Sequence, residues 1–229
     1  MKQNLFFLLL FFACPAWAQD FEQFKNSFPT SVQKPEKWVF DSTYLAMCEK
    51  NLATLNPIPF KWANKFIHKR IYNSQGEPIP NIAPDAGLLV ANTLGLNRSP
   101  IRKLEAHRAY YFLQKVDMLP NFLSFLVYYK DSNNVKYGAL ETCVLLLHYT
   151  PSGELVSAMN VLSYFSFMSI RLTTTEIGEN FLVCNIEQGY SYDYSSDKEN
   201  VIMPNPDFTT YQYYQLNAQT ALYAPIKMR

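Results

Sequence analysis

Glycine is scarce in this chain, with seven residues among 229. The sequence has no G-x-S-x-G elbow, no H-E-x-x-H pair, no P-loop, no G-x-G-x-x-G and no C-x-x-C. These patterns expose a nucleophilic serine, hold zinc, or bring backbone amides close to a phosphate. Their absence argues against the common hydrolase and nucleotide-binding signatures, so we expect a protein without a cofactor and, more simply, without catalytic activity.

Histidine is also scarce, and His68, His107 and His148 show no pair at metal-ligand spacing. The sequence therefore predicts no metal site. His148 lies between Leu147 and Tyr149 and is typical of a hydrogen-bonded strand histidine. The alternative is a hydrolase whose site assembles from distant residues, with His107 or His148 as the base beside a carboxylate.

Charge of one sign is not in excess, since 20 Lys and Arg stand against 19 Asp and Glu. A chain so close to neutrality has no general attraction to phosphate backbones or to anionic membrane surfaces. We therefore expect no nucleic-acid partner.

The amino terminus has the pattern of a cleavable export signal. Lys2 precedes an apolar run over Leu5–Ala13, and Pro15 is followed by the small-x-small triplet Ala16-Trp17-Ala18. A membrane-spanning helix needs about 20 apolar residues, roughly twice this run. The sequence predicts a signal peptide over 1–18, no transmembrane segment, and a periplasmic or secreted protein cleaved near Ala18.

The predicted mature chain, 19–229, has the size of one domain. Lipid anchoring at Cys14 is the alternative to cleavage near Ala18. The mature chain keeps Cys48, Cys143 and Cys184. After export, Cys143 and Cys184 are placed for one cross-strand disulfide, or all three thiols are small buried hydrophobic groups.

The first part of that chain, 19–103, has the periodicity of helices and loops. Asp41 or Ser42 is the expected N-cap of a helix that runs to about Leu55. A short helix is also expected over 85–94. Other apolar residues recur at intervals of three and four, the period of one helical face, in two groups: Phe21, Phe24 and Phe28, then Phe60, Ala63 and Ile67.

The second part, 104–229, has the composition of strands joined by short turns. Asp131–Asn134 and Pro151–Gly153 carry turn chemistry, with Gly153 suited to a left-handed backbone. Short turns favour an antiparallel meander, because parallel neighbours need long crossovers. The expected strands are Ala109–Met118, Phe122–Lys130, Val135–Thr150, Leu155–Tyr164, Ser169–Thr175, Phe181–Tyr190 and Phe208–Leu216.

Within the meander, Val135–Thr150 is apolar on both faces, which indicates that both faces are covered. We therefore predict an α+β fold, with N-terminal helices packed on a predominantly antiparallel β-meander. This layout, with the turn Tyr149–Leu155, resembles small exported bacterial domains built of a few helices followed by a meander. The resemblance concerns the fold and implies no activity.

Tyrosine is abundant, at 16 residues, and is concentrated near acidic side chains towards the carboxyl terminus. Tyrosine suits half-buried sheet surfaces, but it is also enriched at the centres of protein interfaces. In a strand, successive side chains point to opposite faces, so Tyr211 and Tyr213 share one face and Tyr214 lies on the other. The candidate binding residues are Tyr190, Tyr192, Asp193, Tyr194, Asp197, Glu199, Tyr211 and Tyr213.

These observations favour a non-catalytic binding protein of the bacterial cell envelope whose partner is another protein. One concrete form is an immunity-type inhibitor of a toxin delivered into the periplasm. The alternatives are the periplasmic hydrolase and a carbohydrate-binding module that uses stacked tyrosines. The sequence leaves the oligomeric state open.

Overall fold

A computed structural model gives the fold of the described part of the chain, which has three short helical regions in its N-terminal part and a large, mostly antiparallel sheet of ten strands. The predicted α+β class is confirmed. The structure describes residues 17–29, 31–71, 79, 81–83, 108–131, 140–166, 170–193, 201–202 and 205–227. The expected helix over 85–94, His107 and Cys14 lie outside these ranges.

The helical regions begin where the sequence predicts them. Helix α1 covers 17–26, so the predicted cleavage after Ala18 falls within its first turn. The Asp41 carboxylate caps helix α2, Ser42–Asn51, by accepting hydrogen bonds from two backbone amides at 3.0 and 3.1 Å. The third region consists of α3 (Phe60–Trp62), a π-helical stretch (Ala63–His68) and α4 (Lys69–Ile71).

Most strands of the structure follow the predicted segments closely. The bounds are β1 Val32–Gln33, β2 Trp38–Phe40, β3 Arg108–Asp117, β4 Leu123–Asp131, β5 Leu140–Tyr149, β6 Leu155–Ser166, β7 Ile170–Ile177, β8 Leu182–Tyr190, β9 Tyr192–Asp193, β10 Val201–Ile202, β11 Phe208–Leu216 and β12 Tyr223–Ile226. The short strands β1, β2, β9, β10 and β12 are additions that the sequence pattern does not predict.

The long strands form an antiparallel meander, as predicted. The large sheet has the order β1-β3-β4-β5-β6-β7-β8-β11-β12, with β2 beside β7, while β9 and β10 form a separate ladder. Strand β6 pairs only with the first half of β7, at Ile170–Thr173, and β2 pairs with its last residues, Thr175–Ile177. The sheet therefore divides between β6 and β7, and β2 extends the half of the sheet that contains β7, β8, β11 and β12.

Two buried apolar clusters lie against the sheet. In the first, Phe21, Phe24 and Phe28 of the α1 region pack with the residues that follow Phe60 onto β3, β4 and β5. The second lies on the other side of β4 and β5 and includes residues of β8, β11 and β12. Strand β5 is buried on both faces, which confirms the prediction that both faces of this segment are covered.

Candidate functional site

One side of the second half of the sheet presents apolar and aromatic side chains to solvent. Hydrogen-bonded register places Val39, Glu176, Cys184, Tyr213 and Ile226 in one row that crosses β2, β7, β8, β11 and β12. Side chains directly opposite in neighbouring strands share a face. We call this side of the five strands the outward face.

The next row of the outward face consists of Thr174, Ile186 and Tyr211. Tyr211 has 58% of its surface exposed, the largest fraction among the exposed large hydrophobic residues of the described chain. Val39, Leu182 and Ile226 of the same face are also exposed. Contiguous exposed apolar groups of this kind mark interaction surfaces more often than scattered single ones do.

The structure brings some of the predicted site residues together and separates others. Tyr211 and Tyr213 share the outward face, and Tyr190 lies on the same side of β8, four residues beyond Ile186. The predicted opposite orientation of Tyr214 is confirmed, because that residue is 6% exposed and belongs to the second core cluster.

The acidic part of the predicted site is described only at its first residues. Tyr192 and Asp193 form β9, which pairs with Val201 and Ile202 of β10. The remaining candidates, Tyr194, Asp197 and Glu199, lie outside the described residues.

A cleft of about 420 Å³ separates helix α2 from the sheet. Its helical wall is formed by residues that share one face of α2, namely Ser42, Leu45, Ala46 and Glu49. Its sheet wall is formed by side chains of β5, β6, β7 and β8, which are Thr142, Tyr164, Ile170, Leu172 and Tyr190. The cleft therefore lies beside the outward face, and Tyr190 is the predicted site residue that lines it.

Glu49 is the one ionisable carboxylate among the lining residues, and two side chains hold it from β4. The Tyr128 hydroxyl donates to Oε1, and Lys130 Nζ lies 2.8 Å from Oε2. Burial, together with the hydrogen bond to Glu49, raises the pKa of Tyr128 above its usual range. The hydroxyl therefore stays protonated and donates to the carboxylate.

Sequence reasoning missed Glu49 and the helix face to which it belongs. Helical spacing predicts an inward stripe of Tyr44, Leu45, Cys48 and Leu52 on α2, and Cys48 is indeed buried. Ser42, Ala46 and Glu49 lie at positions i, i+4 and i+7 of the helix. Two small residues and one acid on the same face are the sequence signal that this part of the helix does not pack tightly.

His148 occupies a closed hydrogen-bonded position in the core. Its Nδ1 lies 2.8 Å from Ser124 Oγ and its Nε2 lies 2.9 Å from the Tyr223 hydroxyl. None of its surface is exposed, and burial lowers its pKa to about 3. The neutral ring is therefore a satisfied structural group, which agrees with the interpretation of His148 as a hydrogen-bonded strand histidine.

None of the three described cysteines forms a disulfide. Cys143 on β5 and Cys184 on β8 are separated by two strands, so the disulfide considered from the sequence does not form. Cys48 and Cys143 are buried. Burial, with a contribution from the Glu49 charge, raises the pKa of the Cys48 thiol to about 11, which suits an unreactive core residue.

Within the described ranges, no group of three or more His, Cys, Asp or Glu side chains is arranged to hold a metal ion. Across the same part of the chain, no helix is both long enough and apolar enough to cross a membrane. No protein-family model matches the sequence, and neither a curated protein nor a solved structure is significantly similar to it. Function is therefore argued from the outward face and the cleft alone.

Proposed function

We propose that this chain is a non-catalytic binding protein of the bacterial cell envelope that captures another protein through its outward face. The observation that carries the proposal is the row of residues across five strands, in which Tyr213 and Ile226 stand beside the highly exposed Tyr211. Tyrosine supplies rigid contact area and is enriched where interfaces are most tightly packed.

The chemistry of the outward face specifies the partner. Its one described charged pair, Lys37 with Glu176 at 2.8 Å, has no net charge. The matching surface is therefore apolar and aromatic, and capture should survive high salt because it does not depend on long-range charge attraction. An immunity-type inhibitor of an exported toxin has this requirement, a rigid scaffold with one complementary face.

The test compares capture by three forms of the full chain, each with a C-terminal tag, expressed in the source organism. The wild type is compared with Tyr211→Ser/Tyr213→Ser and with Phe60→Ser. Phe60 is the matched control because it is an aromatic residue of α3, 52% exposed, away from the outward face. Bound proteins are identified by mass spectrometry after a high-salt wash, and Kd is measured with each purified candidate.

We expect one stoichiometric protein partner that binds the wild type and the Phe60 variant equally. Loss of a central interface tyrosine costs about 2 kcal/mol or more, roughly thirtyfold in Kd. A partner that binds the double tyrosine variant as tightly as the wild type would remove the outward face from the site.

The acidic candidates require a separate variant because they follow β8 rather than lie on β11. Replacing Asp193, Asp197 and Glu199 together by Lys weakens capture if they form a rim that selects a basic partner. Unchanged capture would remove these three residues from the site and leave the tyrosine rows as the whole interface.

Carbohydrate binding is the alternative that the exposed tyrosines also support, since aromatic rings stack on sugars. A glycan array probed with the wild type and with the double tyrosine variant distinguishes the two ligands. Glycan binding that the variant loses, without any protein partner, would replace the protein-capture proposal.

A further inference from the structure

The cleft beneath α2 has the dimensions of a small-molecule site. Its volume of about 420 Å³ falls in the range of about 300–1,000 Å³ that is usual for ligand pockets. The occupant that fits is a compact molecule or a single chain.

The helix leaves this space open because two of its four lining side chains are small. Ser42 and Ala46 reach the cleft from positions one helical turn apart, and both are exposed. Cys48, on an adjacent stripe of α2, is buried in the second core cluster and fixes the helix against the sheet. The cleft is therefore bounded by a helix that is anchored beside it.

The walls are chiefly apolar. Leu45 of α2 faces Ile170 and Leu172 of β7, and Tyr164 and Tyr190 add aromatic side chains from β6 and β8. The Tyr190 hydroxyl donates to Gln188 Oε1 at 3.1 Å, so its own polar atom is already paired within the sheet. Walls of this composition bind the apolar body of a ligand by excluding water.

Glu49 adds no free charge to this apolar space. Its carboxylate lies 2.8 Å from Lys130 Nζ and accepts the Tyr128 hydroxyl, so both of its oxygens are held by β4. None of the described lining residues therefore offers an unpaired charge, and an ionic ligand group placed among them would lose its hydration without compensation.

We infer that the cleft binds a small, uncharged, largely apolar molecule. This site goes beyond protein capture and uses neither Tyr211 nor Tyr213. The two proposals can therefore fail independently.

The probe is decan-1-ol, with decanoate and decylammonium as matched chains that carry a negative or a positive head group. Binding to the full chain is measured by isothermal titration calorimetry below the solubility limit of decan-1-ol and below the micelle concentrations of the two ions. We expect a single site for decan-1-ol and binding at least about tenfold weaker for both ions, because each must bury an unpaired charge.

Ala46→Trp tests the location of the site. The large side chain enters the cleft from an exposed helix position, so decan-1-ol binding should weaken at least about tenfold. Met47→Trp is the matched control, since Met47 is the next residue of the same helix and is 47% exposed. Equal binding to Ala46→Trp and the wild type would overturn the proposal, as would no binding to the wild type.

Circular dichroism of Ala46→Trp and Met47→Trp verifies that each variant keeps the fold, so that a loss of binding by Ala46→Trp alone reports on the cleft.

Discussion

The two faces of β8 and β11 share the same strands and contain the same types of residue, yet they have opposite environments. Tyr214 and Val183 belong to the buried second cluster, whereas Tyr211 and Tyr213 lie on the outward face. Tyr213 and Tyr214 are neighbours in sequence and differ only in the side of the sheet to which the strand directs them.

This difference shows that tyrosine content alone does not identify a binding site. Register decides which tyrosines support the core and which remain available to a partner. The core side also contains polar groups, and these are paired, as in the 2.6 Å hydrogen bond from Thr175 Oγ1 to Asn185 Oδ1.

The two sides should differ most in the free energy of unfolding that is lost when one residue on each side of β11 is truncated. Leu216→Ala removes a side chain that is 1% exposed and leaves a cavity, so we expect the free energy of unfolding to fall by about 2–5 kcal/mol. Tyr211→Ala removes an exposed side chain and should change it by about 0.5 kcal/mol or less.

Urea denaturation of both variants, followed by circular dichroism, measures these two free energies. A loss for Tyr211→Ala as large as that for Leu216→Ala would mean that Tyr211 packs in the folded protein. The outward face would then no longer be a free surface.

Two turn glycines, Gly153 and Gly178, differ in the space that is available for a side chain. Gly153, between β5 and β6, has φ of +90°, and a Cβ there would meet Phe21 at 2.5 Å. Gly153→Ala should therefore cost about 1–3 kcal/mol through overpacking and left-handed strain. Gly178, between β7 and β8, has only a 3.8 Å contact at the same point.

Gly178→Ala is the matched control and should change the free energy of unfolding by less than about 1 kcal/mol. Thermal unfolding of both variants provides the comparison. Equal losses would contradict the tight contact between helix α1 and the Gly153 turn.

The buried histidine of the core predicts a pH dependence of the free energy of unfolding. Burial lowers the pKa of His148 from its ordinary value of 6.5 to about 3. Below pH 6.5 the unfolded chain binds a proton that the folded chain does not. Stability should therefore fall as the pH falls from 6.5 towards 3, by about 1.4 kcal/mol per pH unit from this residue.

His148→Gln is the control because its amide does not titrate in this range and can still hydrogen-bond with Ser124 and Tyr223. The measurement is the difference between wild type and variant in urea denaturation across pH 4–7. Parallel pH profiles for the two proteins would mean that His148 titrates normally in the folded state.

Much of the fold was predictable because it depends on local signals. Three features depend only on residues close together in sequence. They are the spacing of Phe21, Phe24 and Phe28, the cap at Asp41 and the turn with Gly153. The structure confirms the buried phenylalanines, the Asp41 cap and the positive φ at Gly153. Alternation likewise predicted the opposite orientations of Tyr213 and Tyr214.

The cleft was not predictable because it depends on contacts between distant parts of the chain. Glu49 contacts Tyr128 and Lys130, which lie 79 and 81 residues away along the sequence. The division of the sheet between β6 and β7, which lets β2 pair with β7, is also non-local. No periodicity within one segment encodes which helix face is left uncovered by a sheet that forms elsewhere.

The smallest expected effect concerns one ion pair on each side of the sheet. Lys37 and Glu176 lie 2.8 Å apart on the outward face, and the Glu176 side chain is 43% exposed. Arg171 and Glu187 lie 3.3 Å apart on the other side of β7 and β8, where the Glu187 side chain is 15% exposed. Water screens the first pair more than the second, although the first is shorter.

Glu176→Gln should therefore lower the free energy of unfolding by less than about 1 kcal/mol, and added salt should reduce even that difference. Glu187→Gln should cost more, about 1–2 kcal/mol, because a less hydrated guanidinium loses a charged acceptor. Urea denaturation at low and high salt measures both. If Glu176→Gln proved the more damaging change, exposure would not govern these interactions, and the outward face would have to be covered in the folded protein rather than open to a partner.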